Sequence, residues 1–419
     1  MKTKKLIDVA KLTPGIYVGL PLHWTQHPFL FSRFMIATWA EVHQIQALGL
    51  DQVHCDPAKS NLTHKVQDDA RTAGTQSSVN DTDDSDLWQE KQKSIEQADQ
   101  FRRDRKKAAQ RYHETKKRIN NMMLDLTTAP ANAVRDCELL IADLTVQFNQ
   151  EASMLINLVN MSEASYSINN HALNVTVLSL VLGHSMGMST DELKILGMGA
   201  LLHDIGKVAL PARIAKKPQN MSKVEQDLFS THVGQGIKLV HRIENIRPEI
   251  MEIIGHHHSF LDGSGFPEQV AVEKISQSAR IVTIANLYDN YCNPSDLAEA
   301  LTPKEAMAHL YAQAGEQLDE KLVQGFIRTF GVYPPGTVVL LSDDSFALVL
   351  VVASKALLTP RVVLYNPDVP ADKAMVIDLI EHPNLQIIRA LRPTEYPARI
   401  YNYLGIQERV GYYFESLVQ

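Results

Sequence analysis

Between residues 171 and 257 the chain carries His171, the adjacent pair His203-Asp204, His232 and the adjacent pair His256-His257. Each lies in or at the edge of a segment with helical periodicity. Apolar residues recur at three- and four-residue spacing in Glu138 to Leu158, Ala172 to Gly183 and Asp191 to Leu202. Ser189-Thr-Asp-Glu-Leu reads as a helix start, a capping residue followed by acids in the first turn. The pattern predicts a helical domain that gathers imidazoles and one carboxylate.

That donor set has a chemistry. Neutral imidazole and carboxylate suit divalent first-row metals, and the lack of nearby thiolates argues against structural zinc. Adjacent residues on a helix point about 100 degrees apart. His203 can therefore aim at one ion while Asp204 bridges to a second, and the pair His256-His257 can add further ligands. Two such ions about 3.5–4 Å apart form a device for phosphoester hydrolysis. Lys207 follows His203-Asp204-Ile-Gly206 at a position suited to phosphate charge. Gly206 is expected to end the helix and turn the chain.

Composition limits the alternatives. The chain has 419 residues, 45% of them hydrophobic and 21% charged, which excludes collagen-like, wholly disordered and multispanning classes. Lys plus Arg is 41 and Asp plus Glu is 48, a net charge of −7, so no long nucleic acid is expected as a partner. Cys55, Cys137 and Cys292 are far apart and form no metal or disulfide motif, which fits a reducing compartment. The N-terminus is basic without an apolar segment behind it, and the longest apolar run, Phe346 to Ala353, is too short for a bilayer. A cytoplasmic protein with no membrane span is expected.

The organisation reads as follows. Residues 1–57 form a small α+β domain, with a turn and strand in Leu12 to Leu20 and a helix over Trp39 to Leu48. Residues 58–86, polar and rich in Asp, form a flexible linker. Residues 87–131 form a charged helix whose basic run, Arg102 to Arg118, is diluted by Asp104 and Glu114 and reads as a solvated face. The helical domain occupies 132–330, and Val- and Leu-rich runs in 331–419 predict a small β-rich C-terminal extension.

Two stretches then become familiar. Leu201-Leu-His-Asp-Ile-Gly-Lys-Val-Ala-Leu-Pro211 resembles the HD signature of metal-dependent phosphohydrolases. Gly255-His-His-His-Ser-Phe-Leu-Asp-Gly-Ser-Gly-Phe-Pro267 resembles the HHExxDGxGYP element of the HD-GYP branch. Lys217-Pro218 and Thr231 to Gly236 match its spacing. The fold class expected is mainly α: a helical HD-type domain with the two small flanking domains. The resemblance implies two divalent ions, iron or manganese, and hydrolysis of cyclic di-GMP to pGpG or GMP. It implies His171, His203, Asp204, His232, His256 and His257 as metal ligands, with Asp204 and Lys207 catalytic. It implies that Lys207 and the loop residues Asp262, Gly263, Gly265, Phe266 and Pro267 bind substrate.

Departures from the family pattern qualify these expectations. Asn286 stands where the family places a ligating Asp, and is expected to be a weak ligand. Asp289, one helical turn on, is expected to be structural. Ser167 stands where some members have a Glu ligand, so no third ion is expected. His258 is read at the Glu position after the double His, in a supporting role. Asn293-Pro-Ser-Asp replaces an Arg-bearing stretch. The alternatives are a weakened or inactive relative that senses cyclic di-GMP and contacts diguanylate cyclase domain proteins, and a phosphohydrolase for another nucleotide.

Overall fold

The computed structural model describes residues 5–29, 31–60, 82–150, 154–161, 167–216, 221–243, 245–351, 357–383, 385–392, 395–405 and 409–416. Most of the expected linker, residues 61–81, lies outside them, as do Lys217-Pro218. The chain divides into two compact units, residues 1–99 with 366–376, and residues 100–365 with 377–419.

In the first unit, β1 (Lys5–Asp8), β2 (Tyr17–Gly19), β3 (Arg33–Met35) and β4 (Gln52–Cys55) form an antiparallel sheet in the order β1-β4-β2-β3. Helix α1 (Trp39–Ala47) starts at Thr38, whose hydroxyl accepts from the Glu41 amide while Glu41 reaches back to the Thr38 amide. Val9, Leu12, Ile16, Val18, Ile36, Val42, Ile45 and Val53 form the core beneath the sheet. A second cluster joins Trp24, Val369 and Met375 to Phe31 and Ile95. Ile95 lies in α2 (Thr82–Thr128), which starts five residues before the expected charged helix.

The second unit is a helical core with strands added from the C-terminal segment. Its helices are α3 (Pro130–Gln150), α4 (Ile168–Ser185), α5 (Thr190–Leu202), α6 (Ala212–Ala215), α7 (Lys223–Val240), α8 (Pro248–His256), α9 (Gln277–Cys292), α10 (Pro303–Ala312) and α11 (Glu320–Phe330). Helix α4 is buried continuously from Asn170 to Gly183, its apolar residues in the core and His171 and Asn174 turned to the site and its support. It forms the centre of one large core that includes Leu178, Leu196, Ile253, Ile281, Tyr288 and Phe326. Trimming any one of these to Ala would cost about 2–5 kcal/mol. The Ser189 start of α5 is a full capping box with Glu192.

The β-rich extension expected after residue 331 is present. Its strands β6 (Val338–Leu341), β7 (Phe346–Val351), β8 (Arg361–Leu364), β9 (Val376–Asp378) and β10 (Ile387–Leu391) have the order β10-β6-β7-β8-β9. Helix α12 (Ala398–Leu404) follows. One expectation fails here. The helical reading carried to Leu158, but Met154–Met161 is a strand, β5, paired antiparallel with β11 (Arg409–Ser416). Its partner lies some 250 residues away in sequence, and a local periodicity window cannot contain it. Among the described residues no helix is long and apolar enough to cross a membrane.

Candidate metal centre

Four helices deliver four histidines in one pattern. His203 follows the last residue of α5, and its Nδ1 donates to the Ala200 carbonyl at 2.7 Å. His232 on α7 donates to Phe229 at 2.7 Å, and His257, just past α8, donates to Ile254 at 2.8 Å. A carbonyl can only accept, so in each of these rings Nδ1 carries a proton, and in the neutral ring that leaves the Nε2 lone pair facing the centre. His171 on α4 differs only in its acceptor, the Asp289 carboxylate on α9 at 2.6 Å. Asp289 is itself held by Asn174 at 2.8 Å and Asn293 at 2.9 Å. Such a carboxylate–histidine pair fixes ring orientation and raises the basicity of the other nitrogen. The structural role expected for Asp289 is this one.

The four Nε2 atoms converge on Asp204. His203 and His171 stand 3.3 and 3.5 Å from its Oδ2, and His232 and His257 stand 3.3 and 3.7 Å from its Oδ1. The assembly is buried: His203, His232 and His257 have no exposed surface and Asp204 is 3% exposed. Oδ1 of Asp204 and Nε2 of His203 are buried with no hydrogen-bond partner among the described residues. Lone pairs that face lone pairs in a low-dielectric interior repel, unless a cation lies between them. The donor set fits divalent metal. It splits into two groups that share Asp204, one with His171 and His203, the other with His232, His257 and His258, the ligand atoms of each within 4.8 Å of one another.

Electrostatics follow the burial. Burial lowers the pKa of His203 and pushes His257 down to about 3, which keeps both rings neutral. For Asp204 burial is the largest influence and acts upward, but the Lys207 ammonium, 2.5 Å from Oδ2, together with the neighbouring His203 and His232, outweighs it and holds the carboxyl well below the usual range. Lys207 is 4% exposed and lies 5.1 Å from the Phe229 ring centre.

Two expectations are corrected. Gly206 does not end the helix. Helix α5 ends at Leu202, and Gly206 sits in a tight 3-10 turn, Ile205–Ala209. A Cβ there would stand 1.8 Å from the His232 carbonyl, so glycine lets the His-Asp turn lie directly against α7. The second correction concerns register. His257 and His258 join the ligand groups, whereas His256 does not. His256 ends α8, and its neighbours are Glu252 and the Lys274 backbone. The signal was in the sequence: counted back from Asp262, the HHExxDGxGYP element puts its double His at His257-His258 and its Glu at Ser259.

The remaining candidates fall into place around this centre. Asn286 is buried, and its Oδ1 accepts from Asn290 Nδ2 at 2.6 Å. Asn290 Nδ2 also bonds the Asn286 carbonyl at 2.8 Å, which identifies it as the donor. The oxygen that Asn286 would offer a cation is therefore engaged. Asp262 is exposed and closes its own turn, accepting from the Ser264 amide at 2.9 Å and hydroxyl at 2.6 Å. Gly263 and Gly265 have φ of +80 and +89 degrees, and a Cβ on Gly265 would stand 2.0 Å from the His258 carbonyl. The Phe266 amide donates to that carbonyl at 3.1 Å, and its ring lies 4.3 Å from the His258 ring. The loop thus braces His258. The Phe266-Pro267 peptide is cis.

Two cavities adjoin the centre. One, of about 570 Å³, has Asp204 in its wall. The other, of about 580 Å³, is lined by Phe229, Phe266, Asn290, Tyr291, Lys216 and Lys223 among others.

Comparison with known proteins agrees with this geometry. Residues 144–322 match the HD domain, and residues 4–137 match a domain of unknown function, DUF3391. The chain is 25% identical over 287 residues to the cyclic di-GMP phosphodiesterase PA4108 of Pseudomonas aeruginosa, covering 66% of this chain and 68% of that one. It is 33% identical over 149 residues to the cyclic di-GMP phosphodiesterase response regulator RpfG of Xanthomonas campestris, covering 35% and 39%. It is 30% identical over 185 residues to 3'3'-cGAMP-specific phosphodiesterase 2 of Vibrio cholerae, covering 43% and 35%. The chain spans well under half the length of the last two relatives. Residues 144–322 are an HD domain, and their HD turn, paired histidines and DGSGFP loop resemble the HD-GYP branch of HD-domain phosphohydrolases.

Proposed function

We propose that the chain is a metal-dependent phosphodiesterase that hydrolyses cyclic di-GMP to pGpG or GMP. The observation that carries this reading is the convergence of four imidazole Nε2 atoms on one buried carboxylate. The names of the relatives add the substrate class. In this reading His171 and His203 would hold one ion, His232, His257 and His258 would hold a second, and Asp204 would be shared between them. Iron or manganese suits such nitrogen and oxygen donors. Two such ions supply positive charge for the phosphoryl oxygens and lower the pKa of water.

The chain's own residues do the rest. The Ala200, Phe229 and Ile254 carbonyls and Asp289 fix the tautomers, so that no proton must leave a ring when an ion binds. Lys207 has its ammonium at the edge of the cluster, where it can turn from Asp204 to a phosphoryl oxygen and stabilise charge as it develops. Leu201 and Ile205 wall the site with apolar surface, which strengthens each of these interactions. Phe266 acts by bracing His258, and Gly265 by admitting the backbone. Within this reading the division into an N-terminal unit, a helical catalytic domain and a β-rich extension is retained.

One observation favours a second reading. Asn290 holds the Asn286 amide, which withdraws a family ligand and Asp's negative charge from the His171–His203 ion. A weakened enzyme, or a cyclic di-GMP sensor that works through diguanylate cyclase domain proteins, would follow. The test is incubation of the protein with cyclic di-GMP and manganese or ferrous iron, with chromatographic separation of the nucleotides. The proposal expects pGpG or GMP to accumulate. Binding without turnover would select the sensor.

A further inference from the structure

We propose that a purine base of the substrate is read by Asn120 and Asn169, in a subsite built partly from helix α2, outside the matched HD domain. This rests on the phosphodiesterase reading above. The cavity beside Asp204 is lined on one side by Asn120, Met123 and Leu124, which lie at i, i+3 and i+4 on one face of α2. On the other side stand Ile168 and Asn169 at the start of α4, and Val208 after the HD turn.

The chemistry of this wall selects the ligand. It contains no Lys or Arg, so it is not a second phosphate site; the one cation of the centre, Lys207, is directed at Asp204. Its volume of about 570 Å³ lies within the range of small-molecule sites. Leu124 and Val208 are 72% and 53% exposed and give the cavity an apolar rim. A flat, neutral, heteroaromatic group would cover that rim. The only polar side chains besides Asp204 are the two carboxamides, and Asn169 Nδ2 donates to Asn120 Oδ1. That bond uses the Asn169 donor and the Asn120 acceptor, so the Asn120 Nδ2 donor and the Asn169 Oδ1 acceptor are the groups these two side chains can offer a ligand. Were both amides turned over, one donor and one acceptor would still remain. A donor and an acceptor together complement a purine edge. Guanine O6 would accept from Asn120 while its N1–H donates to Asn169; adenine offers N7 and N6–H in the same sense. A base seated here places the attached ribose phosphate towards Asp204.

The test uses the full chain loaded with Mn²⁺. Dissociation constants and kcat/KM are measured for cyclic di-GMP, cyclic di-AMP and bis(p-nitrophenyl) phosphate, a diester without a base. Asn120→Leu and Asn169→Leu should each lower the ratio of cyclic di-GMP to bis(p-nitrophenyl) phosphate about tenfold or more, in both binding and kcat/KM. Asn120→Asp keeps the shape and swaps the donor for an acceptor. It should lower the same ratio even if Leu disturbs the helix. Ratios within twofold of wild type in all three variants overturn the proposal. Turnover of cyclic di-GMP with unchanged ratios sinks the base subsite alone. Wild-type binding without turnover sinks the phosphodiesterase reading and leaves the binding ratios to decide the subsite.

Discussion

Each of the two units buries an ionisable side chain, and they settle the cost in opposite ways. In the first unit Lys91 is 2% exposed. Its ammonium donates to the carbonyls of Trp24 and His27 at 2.5 and 2.7 Å and lies 4.4 Å from the Trp24 ring centre and 5.4 Å from that of Trp88. Backbone oxygens and indole faces, all in place before any ligand arrives, take up the charge. In the second unit Asp204 is buried as deeply; Lys207 donates to its Oδ2, but its Oδ1 has no hydrogen-bond partner among the described residues and faces the Nε2 atoms of His232 and His257. The Lys91 site is closed, and nothing needs to be added to it. The Asp204 site has a donor set that could hold a divalent cation. Burial and perturbed pKa values alone would not separate the two; the direction in which the protons point does.

Predictions follow from that contrast, the strongest first. Lys207→Ala should cut phosphodiester hydrolysis about 10²–10³-fold, the usual cost of a lost charge-stabilising group, while the protein retains its metal. Turnover assays beside elemental analysis check this. If metal is lost as well, Lys207 belongs to the ligand frame and not to the chemistry.

The next effect lies in the first unit. Burial lowers the His27 pKa from 6.5 to about 4. Between those values the unfolded chain binds a proton that the folded unit refuses. Stability is therefore full above pH 6.5 and is lost as pH falls towards 4, by up to about 3 kcal/mol. Denaturant melts followed by tryptophan fluorescence should show this slope, and His27→Asn should flatten it. An unchanged slope in the variant would place the acid sensitivity elsewhere.

His258→Ala should weaken metal affinity about 10–100-fold, whereas His256→Ala should leave it within about twofold. Titration of the apoprotein with manganese separates the two, and the reverse order would restore the register first read from the sequence. Smallest is the gain from Asn286→Asp combined with Asn290→Ala. Freeing that position and restoring its charge should raise metal occupancy and rate a few-fold; no gain in either means that the site does not use position 286.

Much of this was legible in the sequence because it is local. The periodicity around His171 and Leu196 and the Ser189 cap depend on neighbours within a few residues. The HD turn and the DGSGFP loop carried the family resemblance. What was hidden is what other segments contribute. Strand β5 became visible only with β11 beside it. Gly206 looked like a helix stop, because its reason lies in the His232 carbonyl on another helix. The double histidine was misplaced by one residue in a run of three, a run that composition alone cannot phase. Asp262 in the fixed loop does phase it. Asn290, one turn beyond Asn286, carried no family signal and is intelligible only from its hydrogen bonds.

The central claim is that Asp204 and the histidines around it form a cation site. Its most direct measurement is the metal content of purified protein by inductively coupled plasma mass spectrometry, for wild type and Asp204→Ala side by side. The account predicts one to two equivalents of iron or manganese in wild type and almost none in the variant. Equal metal content in the two proteins, or none in wild type after incubation with manganese, would contradict it.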